Sequence, residues 1–215
     1  MNINAIIINR NLLTSLKHTI DFLKTDDRIN VIICDQASDY PPLLEFYKNY
    51  NGDVIYSKEN IGKFHPFQIK EIRDTEYFIV TDPDCDYSSV PDDWLDKMIN
   101  VLEKSPIHKV GFSLNIENIS DNNLFKNKII NWENRFWKEK NEFGYISKID
   151  STFALYRKNT VKGLDAIRLE PPYMINHIPW ELDYDNLNEE WMYYFKNVSL
   201  KSPHWSNKIK NHLIK

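Results

Sequence analysis

The chain has 215 residues, of which 42% are hydrophobic and 13% aromatic, so it can bury the core of one folded domain. A net charge of −4 without any basic block argues against nucleic acid as a partner. No apolar run reaches transmembrane length, the N-terminal run is too short for a signal peptide, and Cys34 and Cys85 make no disulfide framework. We therefore expect a cytoplasmic protein with no membrane span.

The N-terminal part of the sequence alternates strand patterns with helix patterns. Apolar runs predict buried first and second strands at Ile3 to Ile8 and Val31 to Cys34, and a third strand at Val54 to Tyr56. Leucines at helical spacing predict a helix after the first strand. A second helix is predicted to open at Pro41-Pro42, where a missing backbone N–H costs least.

A loop from Lys58 to His65 leads into a predicted helix ending near Arg73, and Tyr77 to Thr81 is predicted as the fourth strand, fully buried. Strands that alternate with helices predict right-handed crossovers and a mainly parallel sheet. In open α/β sheets, ligands bind where the carboxyl ends of the strands meet. We therefore expect four side chains to gather at that edge: Asn9, Asp35, Asn60 and Asp82.

A cluster of carboxylates, Asp82, Asp84 and Asp86, directly follows the fourth strand. Oxygen ligands in that place suit Mg²⁺ or Mn²⁺, and either ion would bind a diphosphate. An EF-hand does not fit, because Tyr87 stands at the glycine position of the loop and a strand precedes it. A haloacid dehalogenase-type phosphatase would carry its motif on the first strand. A solvated acidic turn without an ion stays open, since aspartate is common in turns.

The second half of the sequence is less regular than the first. A helix is predicted after Pro91, a strand over 109–116, a helix over 124–140, a strand over 146–157 interrupted at 150–152, and a short helix over 189–195. No repeat and no linker divides the chain. We therefore expect one α/β domain in which the second half covers the first.

Several segments, in their order and spacing, resemble the GT-A glycosyltransferases, above all the small family two-like enzymes of bacteria and large DNA viruses. The segments are I-I-I-N-R at 6–10, I-C-D-Q-A-S at 33–38, E-N-I-G at 59–62, T-D-P-D at 81–84, I-D-S-T-F-A-L-Y-R at 149–157, P-P-Y-M-I-N-H-I-P-W at 171–180 and H-W-S at 204–206. The resemblance implies one GT-A domain over residues 1–215. Its Rossmann-like nucleotide-sugar-binding half, with a mainly parallel sheet, covers about 1–116, and its acceptor-side half covers about 117–215.

The resemblance also implies a bound Mn²⁺ or Mg²⁺ and a set of donor-binding residues. The resemblance implies that Asn9, Arg10 and Asp35 bind the nucleotide base and ribose and that the turn at Asn60 and Gly62 lies along the donor. Asp82 lies nearer the ribose, Asp84 is the more direct metal ligand, and Asp86 is a substitute in an overlapping D-x-D frame. His177 is either a further metal or diphosphate contact or a structural residue beside Pro179-Trp180. His204, next to Trp205, either makes the same kind of contact or belongs to a loose C-terminal tail.

Inverting transfer needs a base that takes the proton from the acceptor hydroxyl. The resemblance implies a base in an acidic segment well downstream of the D-x-D, which favours Glu181 and Asp183, with Asp150 as a third candidate. A UDP-sugar is the default donor, with GDP- and TDP-sugars as alternatives, and the acceptor is a glycan or glycoconjugate. The chain lacks the Q-x-x-R-W segment of processive synthases, so we do not expect a polymerising synthase.

Two other functions share features with this sequence. A sugar nucleotidyltransferase needs a glycine-rich phosphate loop after the first strand, and Asn9-Arg10-Asn11 contains no glycine. A non-catalytic carbohydrate- or nucleotide-binding module stays open, because the aromatic content suits stacking on sugars. Such a module has no evident use for three aspartates at a strand end.

Overall fold

The computed structural model describes residues 1–62, 66–69, 75–158, 160, 165–198 and 204–213, apart from the side chains at 165, 204 and 205. The strands are β1 (Ile3–Asn9), β2 (Ile29–Asp35), β3 (Asp53–Tyr56), β4 (Tyr77–Thr81), β5 (Cys85–Asp86), β6 (Lys109–Gly111), β7 (Ser113–Leu114), β8 (Lys140–Asn141), β9 (Gly144–Lys148), β10 (Phe153–Arg157), β11 (Asp165–Arg168) and β12 (Met174–His177). The α-helices are α1 (Thr14–Leu23), α2 (Pro41–Asn49), α3 (Trp94–Lys104), α4 (Lys126–Glu133), α5 (Ile178–Glu181), α6 (Glu189–Lys196) and α7 (His204–Leu213), and the 3₁₀ turns are Pro66–Gln68 and Asn134–Phe136.

Nine of the described strands form one sheet, in the spatial order β3-β2-β1-β4-β10-β6-β11-β9-β8. The first four strands in this order run parallel to one another. Beyond them the sheet is mixed, because β10 lies antiparallel to both of its neighbours and only β6 and β11 pair in parallel. The expected α/β architecture is therefore confirmed, and the N-terminal half supplies the four neighbouring parallel strands.

Alternate side chains of β1 enter two different layers of the core. Ile3 and Ile7 face the larger cluster, which also contains buried residues of α1 and α3, and Ile6 and Ile8 face the smaller cluster on the other side of the sheet. Both layers exclude water from the centre of β1, which explains its apolar run from Ala5 to Ile8.

A second, three-stranded sheet lies at the end of β4, in the order β5-β12-β7. The pattern over 109–116 predicts one strand, but the chain leaves the large sheet at Phe112, and β7 pairs with β12 instead. The pairing of β5 with β12 sets His177 opposite Cys85. This small sheet brings a residue of the second half next to the carboxylate cluster.

A buried glutamate connects the C-terminal helices to the first helix. α1 has no side-chain cap of its own. The carboxylate of Glu190 instead accepts hydrogen bonds from the N–H groups of Leu13 and Thr14 and from the Thr14 hydroxyl, at 2.9–3.1 Å. A carboxylate at a helix N-terminus also complements the helix dipole, so this contact stabilises the docking of α6.

The structure changes two further expectations about secondary structure. The predicted helix over 124–140 is shorter, because α4 gives way to a 3₁₀ turn at Asn134 and residues 140–141 form β8. The predicted strand over 146–157 becomes two strands, β9 and β10, that are not neighbours in the sheet. Of the predicted helix ending near Arg73, residues 66–68 form a 3₁₀ turn, and positions 70–73 lie outside the described residues. Within the described part of the chain, no helix combines the length and apolar character needed to cross a membrane.

Candidate functional site

A cavity of about 660 Å³ opens at the carboxyl ends of the parallel strands. That volume is within the range of about 300–1,000 Å³ that is typical of small-molecule sites. The predicted site residues that line it are Asn9, Arg10, Asn60, Gly62, Asp82, Asp84, Asp150 and His177. Those that are not part of its lining are Asp35, Asp86, Glu181 and Asp183.

Asp84 and His177 form the polar pair at one wall of the cavity. The pairing of β5 with β12 and the hydrogen bond from the Ile178 N–H to the Asp84 carbonyl, at 2.9 Å, hold the two segments together. As a result, Nε2 of His177 lies 3.5 Å from Oδ2 of Asp84. The side chains are 22% and 15% exposed.

Each member of this pair has one buried atom without a hydrogen-bond partner, Oδ1 of Asp84 and Nδ1 of His177. Buried polar atoms in folded proteins are almost always paired, so unpaired ones point to a missing ion or ligand. Carboxylate and imidazole donors fit Mn²⁺, and carboxylate fits Mg²⁺. Among the described residues no group of three acidic, His or Cys side chains could hold a metal, so a bound ion would take its remaining ligands from phosphate oxygens and water.

The other two aspartates of the cluster have different surroundings. Asp82 receives a hydrogen bond from the Ser151 hydroxyl at 2.7 Å, and its N–H donates to the Ser151 carbonyl at 2.9 Å, which ties it to the turn before β10. Asp86 accepts from the N–H and hydroxyl of Ser88 and from the Asn176 amide. Asp86 therefore closes a turn outside the cavity, which favours the first D-x-D frame over the second.

Gln36, at the end of β2, holds the turn that contains Asn60 and Gly62. Its Oε1 accepts hydrogen bonds from the N–H groups of Ile61 and Gly62, both at 3.0 Å. Gly62 has φ +69, and among the described residues an added Cβ would meet only the Asn60 side chain, at 3.8 Å. The left-handed backbone is therefore the observed reason for glycine at this position.

Asp35 is buried behind the cavity wall. Its carboxylate accepts from the Ser38 N–H at 3.0 Å and from the Tyr47 hydroxyl at 3.1 Å, and Tyr47 in turn accepts from the Asn9 amide at 2.9 Å. Burial raises the pKa of the Tyr47 hydroxyl, so this group stays protonated and donates to Asp35. Asp35 thus orients Asn9, whose buried Oδ1 has no partner.

Arg10 joins the ends of β1 and β2. Its guanidinium donates to the carbonyl oxygens of Gln36 and Ala37 at 2.6 and 2.8 Å. Ala37 has φ +56, a conformation that costs on the order of 1 kcal/mol for a residue with a Cβ. The bonds from Arg10 hold this strained turn against the cavity.

The three candidate bases occupy different positions. Asp150 is exposed and lines the cavity, and its Oδ1 accepts from the Thr152 N–H and hydroxyl, at 3.3 and 2.6 Å. Burial and the nearby Asp86 carboxylate raise the pKa of Glu181, although this residue is outside the lining. Asp183 accepts from the Asp185 N–H at 3.0 Å and closes a turn.

Two lining residues, Glu133 and Arg168, were not among the residues predicted from sequence. They form an ion pair of 2.9 Å in which the side chains are 4% and 7% exposed. Burial raises the pKa of Glu133, and the positive charge of Arg168 opposes that shift. The two partners are 35 positions apart in the sequence, so no local pattern predicts their ion pair. The helical spacing of Glu133 with Ile129 and Phe136 is the signal that could have placed its side chain on the same face as these apolar residues.

No family model and no curated protein matches this sequence. Among solved structures, the chain is similar to a 4-diphosphocytidyl-2C-methyl-D-erythritol synthase from Anaerococcus prevotii DSM 20548. The two chains are 12% identical, the match covers 100% of this chain and 96% of that one, and the TM-score is 0.44. A likeness at this level supports no conclusion about function.

Proposed function

We propose that this chain is a metal-dependent, inverting glycosyltransferase that moves a sugar from a nucleotide diphosphate sugar to an acceptor hydroxyl. The observation that supports this most is the Asp84–His177 pair, because it leaves a buried carboxylate oxygen unpartnered beside a cavity at the ends of parallel strands. In open α/β sheets this edge is the usual ligand site.

The residues of the first half would bind the nucleotide. Asn9, Arg10 and the turn held by Gln36 line the cavity at the ends of β1 and β2. Asp82, fixed by Ser151, would face the ribose. A UDP-sugar is the default donor, and GDP- and TDP-sugars are the alternatives that the experiment below separates.

Asp84 and His177 would hold Mn²⁺ or Mg²⁺ against the diphosphate. When bound, the ion neutralises the charge that the diphosphate gains on leaving, a contribution of several kcal/mol. Asp86 would have no part in this, because its oxygens accept from Ser88 and Asn176.

Among the three candidate bases, Asp150 is the one that lines the cavity, and we assign it the proton of the acceptor hydroxyl. As that proton passes to Asp150, the acceptor oxygen forms a bond to the anomeric carbon. The bond from this carbon to the diphosphate oxygen breaks on the opposite face, and the configuration inverts. The hydrogen bonds from Thr152 fix the carboxylate for this step.

A thermal-shift series with UDP, GDP and TDP, each with Mn²⁺ or with EDTA, tests the donor half of the proposal. A nucleotide at ten times its dissociation constant stabilises by about 1.4 kcal/mol, which raises the melting temperature of a chain of this size by roughly 3–6 °C. We expect this shift for one nucleotide and only with Mn²⁺. Stabilisation that is equal in EDTA, or absent for all three, would contradict the proposal.

A second measurement separates transfer from binding. The chain is incubated with UDP-, GDP- and TDP-sugars, Mn²⁺ and a mixture of glycan acceptors, and the products are analysed by mass spectrometry. Release of the nucleoside diphosphate together with a glycosylated product is expected. Metal-dependent nucleotide binding without any product would favour a binding module. In a separate incubation with nucleoside triphosphates, a sugar 1-phosphate and Mn²⁺, release of pyrophosphate would favour a nucleotidyltransferase.

A further inference from the structure

One face of α4 and the 3₁₀ turn after it forms a wall of the cavity. Ile129, Trp132, Glu133 and Phe136 follow one another at helical spacing, and all four line the cavity. A helix face that packs into a core is apolar throughout. This one combines a half-exposed indole with a buried carboxylate, which is the composition of a ligand-binding wall.

Trp132 presents a large, oriented aromatic surface. Its side chain is 50% exposed, although it lines the cavity. The Arg135 guanidinium lies 3.6 Å from the ring centroid, and the Phe136 ring stands nearly perpendicular to it, with centroids 6.2 Å apart. These two contacts fix the orientation of the indole and leave much of its surface for a ligand.

Glu133 and Arg168 place an ion pair beside this aromatic surface. Arg168 donates to Oε2 of Glu133 and to the Lys148 carbonyl, both at 2.9 Å, and its guanidinium lies 4.3 Å from the Phe136 ring centroid. Three contacts therefore hold Arg168 in one geometry. The hydrogen bonds of the described residues use Oε2 of Glu133 but not Oε1. A charged pair on a cavity wall binds polar ligand groups strongly, because charge-assisted hydrogen bonds are about twice as strong as neutral ones.

A sugar ring matches this arrangement. One face of a pyranose consists of C–H groups, which pack against an aromatic ring, and its rim carries hydroxyls that both donate and accept hydrogen bonds. A lipid chain would leave the ion pair without water or partners, which costs free energy. Asp150 and His177 act in opposite directions on Glu133, the first raising and the second lowering its pKa, and both line the same cavity as this wall.

We propose that Trp132, Glu133 and Arg168 form the acceptor subsite and that the acceptor is a glycan, whose terminal sugar stacks on Trp132 and hydrogen-bonds to the ion pair. This inference rests on the proposed function, since it names the acceptor class of the same cavity. Trp132 supplies the apolar contact. The ion pair selects ligands that carry hydroxyls on neighbouring carbons.

Ligand-observed NMR on the full chain tests the subsite without nucleotide or metal. The probes are maltose, cellobiose, lactose and N,N′-diacetylchitobiose at millimolar concentration. We expect at least one of them to bind the wild type, and Trp132→Ala to weaken that binding by about tenfold or more. Trp132→Phe keeps a ring and should retain most of the affinity. Tyr56→Ala is the matched control, because Tyr56 is an exposed aromatic outside the cavity lining.

Glu133→Gln tests the polar half of the subsite and should also weaken sugar binding, with circular dichroism as the check on folding. If this variant does not fold, the comparison of Trp132→Ala with Trp132→Phe decides the outcome. Failure of all four sugars to bind the wild type, or equal binding by wild type and Trp132→Ala, would overturn the inference.

A parallel titration with UDP and Mn²⁺ separates this inference from the proposed function. The affinity for UDP should stay within about twofold of wild type in Trp132→Ala, since this side chain contacts the acceptor and not the nucleotide. If sugars bind but nucleotides do not bind in a metal-dependent way, the sugar subsite is supported and the proposed glycosyltransferase function is contradicted. If Trp132→Ala loses affinity for UDP as strongly as for the sugar, the indole contacts the donor and not the acceptor, and the inference is overturned.

Discussion

Replacing Asp84 with asparagine removes one negative charge from the candidate metal site and keeps the shape of the side chain. The carboxylate is 15% exposed, and its Oδ1 is buried without a partner. An asparagine can still interact with His177, so the pairing of β5 with β12 should persist. We therefore expect Asp84→Asn to fold normally and to lose most of its Mn²⁺-dependent affinity for UDP.

The size of this loss follows from electrostatics. A carboxylate whose charge centre lies about 3 Å from a doubly charged ion attracts it by roughly 11 kcal/mol at an effective dielectric constant of about 20. The loss of hydration by both charges offsets most of that attraction. We expect a net loss on the order of 2–3 kcal/mol, which is roughly 30- to 150-fold in the dissociation constant of UDP measured by calorimetry with Mn²⁺.

Asp86→Asn is the matched control for this experiment. It makes the same chemical change two residues later, at a carboxylate that already accepts from Ser88 and Asn176. We expect a stability loss of about 1 kcal/mol and UDP affinity close to wild type. Unchanged affinity in Asp84→Asn, or the larger loss in Asp86→Asn, would refute the assignment of the metal to the first D-x-D frame.

Four further substitutions test other parts of the structure. Glu190→Gln weakens the cap of α1 and should lower the free energy of unfolding in urea by about 1–2 kcal/mol, whereas the exposed Glu189→Gln should not. Gln36→Leu removes two hydrogen bonds to the 60–62 turn and should weaken UDP binding in calorimetry by roughly tenfold; normal affinity would separate that turn from the donor. Gly62→Ala should cost about 1 kcal/mol of stability because of its positive φ, and a melting curve identical to wild type would contradict this. Asp150→Asn should keep UDP binding and slow transfer by about 100-fold or more, and normal turnover would place the base elsewhere.

The strands and their ends were predictable because each is marked by a short apolar run followed by polar residues. The central parts of β1, β2 and β4 are buried on both faces, so Ala5 to Ile8, Val31 to Cys34 and Tyr77 to Val80 are continuous apolar runs. The residues after such strands in a parallel sheet share one edge, and Asn9, Asp82 and Asp84 do line one cavity. The predicted strand over 109–116 failed at Phe112, where a change from one sheet to another leaves no local pattern.

The rest of the candidate site depends on contacts between distant parts of the chain. Glu181 and Asp183 were favoured as bases by their place in the sequence, but the structure leaves both outside the cavity lining. The ion pair of Glu133 with Arg168 joins α4 to β11, and no spacing rule connects those elements. Asp35 follows the expected strand, yet its hydrogen bond with Tyr47 buries it behind the wall.

Anomalous diffraction from a crystal soaked with Mn²⁺ and UDP tests the central claim most directly. The account predicts a manganese peak about 2.0–2.6 Å from a carboxylate oxygen of Asp84, with His177 and the diphosphate beside it. A peak on Asp86, or bound UDP with no manganese peak near Asp84, would contradict the account.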